Sequence, residues 1–460
     1  MISTIAHPAF AGDIGAAEAD ITPPPGIYAR MWGAAAHDVA AGVHRPLMCS
    51  ALVLRADGES SPLALIGVDL GWFESRDDER SVREGVLEAL GVDETRVIVS
   101  LSHTHSGPSI CRAHRDRAGG HLIDAYVESV RAAAAGCARR ALAASRPATL
   151  TWEHGTCALA RDRDLPDPTR ARVLCGFNPA AANDRTVLVG RATGEDGRAI
   201  ATVVNYACHP TSLAWQNNLI SPDYVGAARQ TVVDATGAPM VFLQGASGDL
   251  GPREQYAGDP AIADANGRQL GLSVLATLAA MLPPRTALAY AGAVESGAPL
   301  ATWGRCEAPT DRTLDARRIV VPLALKDLPS AAEIDQRLAR CEDRVQRERL
   351  RRAAAVRRTV GEGAESPWPA WIWRLGGAFL VAQPNEAYSQ LQVELRRRHP
   401  DAAIAVMNVA NGGSAGYLPP RERYAQDLYQ VWQTPFAAGG LERLIDACSA
   451  AITDLTDTQG

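Results

Sequence analysis

Residues 64–108 read ALIGVDLGWFESRDDERSVREGVLEALGVDETRVIVSLSHTHSGP. Ala64–Leu70 is an apolar run of strand length, "RSVREGVLEALG" is a helix closing at Gly91, and "RVIVSLS" is the next strand. Strand, helix, strand is a βαβ unit, and parallel neighbours are expected from it. The second strand runs into His103 and His105 and then into Gly107-Pro108. On a continuing strand, side chains two residues apart share a face. The Gly-Pro pair would end that strand at the edge of the sheet, where ligands collect in α/β folds.

Outward from this unit the alternation continues. An alanine-rich helix spans about Leu122 to Ala144, and strands are expected at "AIATVVNYA" (Ala199–Ala207) and "PMVFLQG" (Pro239–Gly245). A helix from about Gly267 to Met281, strands "IVVPLAL" and "AFLVAQP", helix "YSQLQVELRRR", strand "AIAVMNVA" and a closing helix "LERLIDACSAAI" complete the chain. The fold class is α/β in the mixed sense, a large sheet system flanked by helices. We read residues 1–460 as one compound domain. Residues 330–375 stand apart in composition. Ser330 and Glu333 fit a capping box, an arginine-dense helical arm follows, and "SPWPAWIW" (Ser366–Trp373) forms a tryptophan-rich insertion of core or rim character.

Composition bounds the function. At 460 residues the chain exceeds the roughly 250–300 at which single cores stop growing. It is 47% hydrophobic and 21% charged, ordinary values for a globular protein, and its net charge of -6 comes without a basic block. Nothing in that balance calls for nucleic acid or an anionic membrane. Nine scattered cysteines without a Cys-x-x-Cys pair argue against a disulfide framework and a thiolate zinc knuckle. No signal peptide or apolar run of roughly 18 residues is read, so a cytoplasmic protein without a membrane anchor is expected.

The histidines then take on weight. A lone His-x-His is weak evidence of metal, but "VVNYACHPTSL" again carries an apolar strand into a histidine, His209, followed at once by Pro210. Two strands delivering histidine at a strand-to-loop junction is what a site at one end of a sheet requires. Glu386, in "FLVAQPNEAYSQL", follows a strand at the first turn of a helix, where an acid is also simply favoured by the helix dipole. "VANGGSAGYLPPRERYAQDLYQ" brings a glycine-rich loop and then Tyr417, Tyr424 and Tyr429. No phosphate-binding loop and no dinucleotide fingerprint occurs.

As a set, "ADITPPPG", "HTHSGP", "NYACHPTSL" with "SPDYVG", "FLQGASGDLGP", "QPNEAY" and "NGGSAGYLPPRERYAQDLY" resemble the neutral, non-lysosomal ceramidase family, in order from about Gly12 to Gln430. The resemblance implies a ceramidase-type catalytic domain and a catalytic zinc held by His103, His209, Glu386 and Tyr417. Two neutral imidazoles and one carboxylate leave zinc with residual charge and an open position, the pattern of hydrolytic sites. Tyrosine is an unusual ligand, since its reference pKa is about 10, so Tyr417 is also a candidate donor to a reacting carbonyl oxygen. His105 is the candidate for orienting substrate or stabilising an oxyanion.

One departure matters. Where the family carries an active-site serine before the proline of "SGDLGPR", this chain has Gly251, and no immunoglobulin-like C-terminal domain is read. The resulting expectation is a zinc-dependent amidohydrolase that cleaves an N-acyl bond by metal-activated water and prefers a smaller, soluble amide to long-chain ceramide. Arg161, Arg163 and Tyr429 are its candidate substrate contacts. Two alternatives stay open: a serine-nucleophile hydrolase acting through Ser247, although Gly-Ala-Ser-Gly is not a nucleophile elbow, and a catalytically silent member that binds metal or ligand.

Overall fold

Strand Met48–Arg55 shows how the core is made: Cys49, Ala51 and Val53 pack to one side and Leu52 and Leu54 to the other, all of them buried. The same two-sided burial holds in Leu63–Val68, Val97–Leu101, Ala199–Tyr206 and Met240–Gln244. A strand apolar on both faces must be covered on both, and that requirement generates the layers. The computed structural model describes residues 4–56, 61–413 and 415–457. Ser414 of the glycine-rich loop lies outside them.

The first sheet has eight strands in the order 240–244, 199–206, 186–194, 146–156, 9–20, 48–55, 63–68, 97–101. Both ends are parallel pairs, 240–244 with 199–206 and 63–68 with 97–101, and the strands between them run antiparallel. The expected parallel neighbours are thus the margins of a mostly antiparallel sheet. One face is covered by helices α1 (Arg76–Leu90), α2 (Ile123–Ala143), α3 (Tyr224–Thr236) and α4 (Pro260–Ala280). Helix α1 starts at Ser75, whose side chain accepts from the amides of Asp77 and Asp78, and stops at Gly91 in the left-handed conformation, the preferred residue there because it lacks a Cβ.

The other face packs on a second sheet, ordered 314–324, 365–375, 378–382, 403–407. Their shared core joins Phe10, Leu65, Ile98 and Trp152 to Trp371, Trp373, Leu380 and Met407. The tryptophan-rich stretch, expected as an insertion at the core or rim, is therefore an inner strand of this sheet: Trp368, Trp371 and Trp373 are fully buried. The Trp371 and Trp373 indoles donate to the carbonyls of Glu94 and Thr95 at the foot of the first sheet. The arm is two helices, α5 (Ala331–Arg340) and α6 (Arg344–Val360), and Ser330 with Glu333 forms the expected capping box. Helices α7 (Gln390–Arg398), α8 (Tyr429–Gln433) and α9 (Gly440–Asp457) follow, and α7 and α9 cover the outer face of the second sheet. No helix among the described residues is long and apolar enough to cross a membrane.

A buried ion pair locks the end of the strand Leu63–Val68, just before Gly71. Asp69 receives Arg229 of α3 in a two-pronged contact at 2.6 and 2.8 Å and also accepts the Met48 amide at 2.9 Å. Removing one partner leaves the other charge buried and unpaired, which typically costs about 3–5 kcal/mol. Arg229→Met is expected to lower unfolding stability by roughly that amount in chemical denaturation, with Asp69→Asn/Arg229→Met recovering part of the loss.

Candidate metal centre

The first strand pair delivers His103, but not on a continuing strand. The strand ends at Leu101, and His103 sits at φ 66 with its amide donating to the Leu70 carbonyl at 2.9 Å. The expectation that His103 and His105 share one face of an extended strand is corrected by this left-handed residue. A non-glycine residue there is strained, and the turn swings the imidazole inward. His103 is 1% exposed.

His209 is bracketed by the stretch "FLQGASGDLGP". Its amide donates to the Leu250 carbonyl at 3.0 Å, and its Nδ1 meets the Ser247 carbonyl at 3.1 Å. The preceding Cys208 carbonyl accepts from Tyr224 Oη and Gln244 Nε2. Asp223, the cap of α3, holds the loop beyond through the Leu213 amide. Ser247, the alternative nucleophile, uses its hydroxyl to accept from Gln244 at 2.7 Å and has no histidine on its oxygen. Its part in the site is played by its carbonyl.

Glu386 and Tyr417 arrive from the second sheet's side as paired residues of a short parallel bridge, 386–387 with 417–418. The Glu386 Oε2 atom lies 3.3 Å from His103 Nε2 and 3.3 Å from His209 Nε2, and the two Nε2 atoms are 3.0 Å apart. His103 Nδ1 meets the Gly71 carbonyl at 3.1 Å. A carbonyl can only accept, so both Nδ1 atoms carry protons, and in the neutral rings both Nε2 atoms present lone pairs. Two lone pairs and a carboxylate oxygen facing one point are the arrangement that a positive charge between them would satisfy. A single proton can bridge only one pair at a time, whereas a cation serves all three.

The donor set fits zinc in type, and the two 3.3 Å separations to Glu386 fit it in spacing, while the 3.0 Å between the imidazoles is slightly shorter. Zinc bonds to nitrogen and oxygen of about 2.0–2.2 Å put tetrahedral ligand atoms roughly 3.3–3.6 Å apart. Carbonyls on the far nitrogens are the usual means of fixing the tautomer of a ligating histidine. The electrostatics agree: burial, with the neighbouring Arg163 charge, lowers His209 to about 3, so the ring stays neutral. Burial pushes the Glu386 carboxyl up, but positive charge at His103 and His209 pulls it well below the usual range, the pull that a cation at the same point would exert.

His105 completes a trio of histidines whose ligand atoms lie within 4.8 Å of one another. It is half-buried against Trp32, Trp72, His103 and His209, at ring distances of 5.0–5.3 Å, and its buried Nε2 has no hydrogen-bond partner. Burial, reinforced by the other two histidines, holds it well below its ordinary pKa. Tyr417 stacks on His209 at 6.3 Å, and burial followed by Glu386 raises its phenol well above 10. Its oxygen accepts from Arg163 Nη2 at 3.1 Å.

Of the two arginines, Arg163 is at the site: it is 3% exposed, donates twice to the Gly248 carbonyl and has its guanidinium 5.5 Å from the Tyr417 ring. Arg161 pairs with Gly251 across a short ladder and is not among the residues that line the cavity at the metal centre. Tyr429 packs edge-on against Tyr417 at 5.8 Å and walls the cavity formed with Trp72, His105, Glu386 and Tyr417. The residues missed by sequence reasoning are those that act through their carbonyls, Gly71, Ser247 and Leu250, together with Trp72. Only the motif "FLQGASGDLGP" signalled any of them.

The family described as neutral/alkaline non-lysosomal ceramidase, N-terminal, matches residues 13–241. The chain belongs to this family. The neutral ceramidase of Pseudomonas aeruginosa is 25% identical over 273 residues, 55% of this chain. The match spans 39% of that relative's length. The crystal structure of neutral ceramidase from Pseudomonas aeruginosa has the same fold, with a TM-score of 0.69 at 18% identity over 97% of this chain and 75% of that one. A ceramidase complexed with C2 gives 0.67 at 17% identity, over 97% and 76%.

Gly251 lies beside this centre. A Cβ there would stand 2.9 Å from Gln255 Oε1 and 3.7 Å from Arg163 Cδ. The close neighbour is the end of a flexible side chain that can swing away. Gly251→Ser is expected to fold with a stability within about 1 kcal/mol of the parent in thermal or denaturant unfolding.

Proposed function

We propose that the chain is a zinc-dependent hydrolase of an amide (N-acyl) bond, and the observation that carries this is the convergence of His103 Nε2, His209 Nε2 and Glu386 Oε2 on one point. These three would hold the ion, with Tyr417 as the fourth and weakest ligand. Zinc in such a set supplies Lewis acidity, polarising a carbonyl and bringing the ionisation of water towards neutral pH.

The protein's own groups supply the rest. Tyr417 keeps its proton, and with its oxygen accepting from Arg163 it turns the hydroxyl towards the space over Glu386, where it donates to the amide carbonyl oxygen. His105 offers a desolvated, unpartnered Nε2 to the same space and steadies the charge that develops on that oxygen. Arg163 positions Tyr417. Trp32 and Trp72, against His105, exclude water from this side.

The expectation of a smaller, soluble substrate is narrowed by the cavity next door. A groove of about 690 Å³ lies between arm helix α6 and α8 and is lined by Val345, Leu350, Val356, Tyr429, Trp432 and other residues. Arg352, Val356, Tyr429 and Gln433 line both this groove and the cavity at the metal centre. The arm, expected as a solvated helix, is thus one wall of a path to the site. An apolar acyl chain fits the groove. Localisation in the cytoplasm is retained as part of the proposal.

Elemental analysis is expected to show His103→Ala and His209→Ala each losing about one equivalent of zinc, whereas Tyr417→Phe retains most of it. His105→Ala should keep the metal and lose about 10²–10³ in kcat, the size of a lost oxyanion donor. Chelation should abolish hydrolysis and zinc restore it, with Ser247→Ala still active. Full activity in chelated protein would refute the proposal.

Trp432 is 61% exposed, so its removal should leave the fold intact. Trp432→Ala is expected to lower kcat/KM for a long-chain N-acyl substrate about 10-fold, because less of the acyl chain is then shielded from water, and to leave an N-acetyl substrate unchanged. Equal effects on both would remove the groove from substrate binding.

A further inference from the structure

Away from the centre just described, "SICRAHRDR" carries Cys111 and His114 three residues apart across the one-turn helix Arg112–His114. Cys111 is the extended residue before this turn, which brings His114 back to the same side. Glu74, the residue before the cap of α1, comes from the other direction. The ligand atoms of Glu74, Cys111 and His114 lie within 4.8 Å of one another, with His114 Nε2 3.7 Å from Glu74 Oε2. That separation is too long for a hydrogen bond.

We propose that Glu74, Cys111 and His114 form a second transition-metal site, distinct from the histidine–glutamate centre and marked by its sulfur ligand. Thiolate, imidazole and carboxylate together select zinc-like ions over magnesium or calcium. One thiolate and one carboxylate also balance the charge of a divalent cation, which matters where Cys111 is 5% exposed. His114 Nδ1 is held 3.0 Å from Ser109 Oγ, which orients the ring and leaves Nε2 to the trio. The Ala113 amide favours the ionised sulfur of Cys111, although burial and Glu74 keep the thiol protonated when no cation is bound. Binding therefore exchanges the thiol proton for the metal and releases that proton to solvent. Glu74 is 22% exposed and free to close the remaining distance.

The site has a structural consequence. Glu74 also lines the cavity at the main centre, and Trp72, two residues before it, packs on His103 and His105. A metal on Glu74 would fasten the wall that carries Trp72.

Cobalt(II) distinguishes the two sites, because only this one contains sulfur. Metal-free full-length protein titrated with cobalt(II) is expected to bind two equivalents and to develop a near-ultraviolet sulfur-to-cobalt charge-transfer band. The band should be lost in Cys111→Ser, which keeps one equivalent, and kept in His103→Ala. His114→Ala should weaken it. One equivalent at saturation without the band in the parent protein would overturn the proposal, as would a band that survives in Cys111→Ser.

Discussion

Two imidazole nitrogens, each left without a proton because a backbone carbonyl claims the other side of its ring, face each other across 3.0 Å with a carboxylate oxygen beside them. That juxtaposition is unfavourable by itself, and much of the structure maintains it. The Gly71 carbonyl is set by the loop after the strand Leu63–Val68, and the Ser247 carbonyl by the loop after Met240–Gln244. These strands belong to the two parallel pairs at opposite ends of the first sheet. The histidines themselves follow the strands adjacent to them. Each parallel pair thus brings one histidine and the carbonyl that orients it.

Closure depends on the second sheet. Glu386 and Tyr417 leave strands that face the first sheet, and hydrogen bonds stitch the two together at this end. Asn205 donates to the carbonyls of Leu243 and Val406, the Asn408 amide donates to the Gln244 carbonyl, and the Asn411 side chain accepts from Val99 and donates to Val97. The charge-bearing ligand therefore crosses to the imidazoles only when both halves of the chain are folded. Metal binding and the pairing of the sheets are linked in this account, since a ligand set that exists only in the native state stabilises it.

Much of this was legible in the sequence. The βαβ unit, the capping box at Ser330 and the helix stop at Gly91 are local, and local chemistry specifies them. His209 could be singled out because an apolar strand runs into it. Glu386 and Tyr417 could not be joined to it by spacing, since nothing in a one-dimensional pattern tells that residues 177 and 208 positions further along meet it; their grouping came from resemblance to the family. The left-handed turn at His103 escaped because histidine carries no signal for it; tertiary contacts impose it. The carbonyls of Gly71, Ser247 and Leu250 escaped for a different reason: every residue has one, so side-chain identity says nothing about which will orient a ring. The groove along α6 was hidden because its arginines read as a solvated face, while their aliphatic stems and Val356 line the path.

The central claim is that a cation, and not a shared proton, stands between His103, His209 and Glu386. The direct measurement is a crystal structure of protein prepared without chelator, with anomalous diffraction recorded on both sides of the zinc absorption edge. The account predicts a zinc peak within bonding distance, about 2.0–2.2 Å, of the two Nε2 atoms and the Glu386 carboxylate. An empty map there after zinc has been supplied, with the two rings hydrogen-bonded to each other, would contradict it.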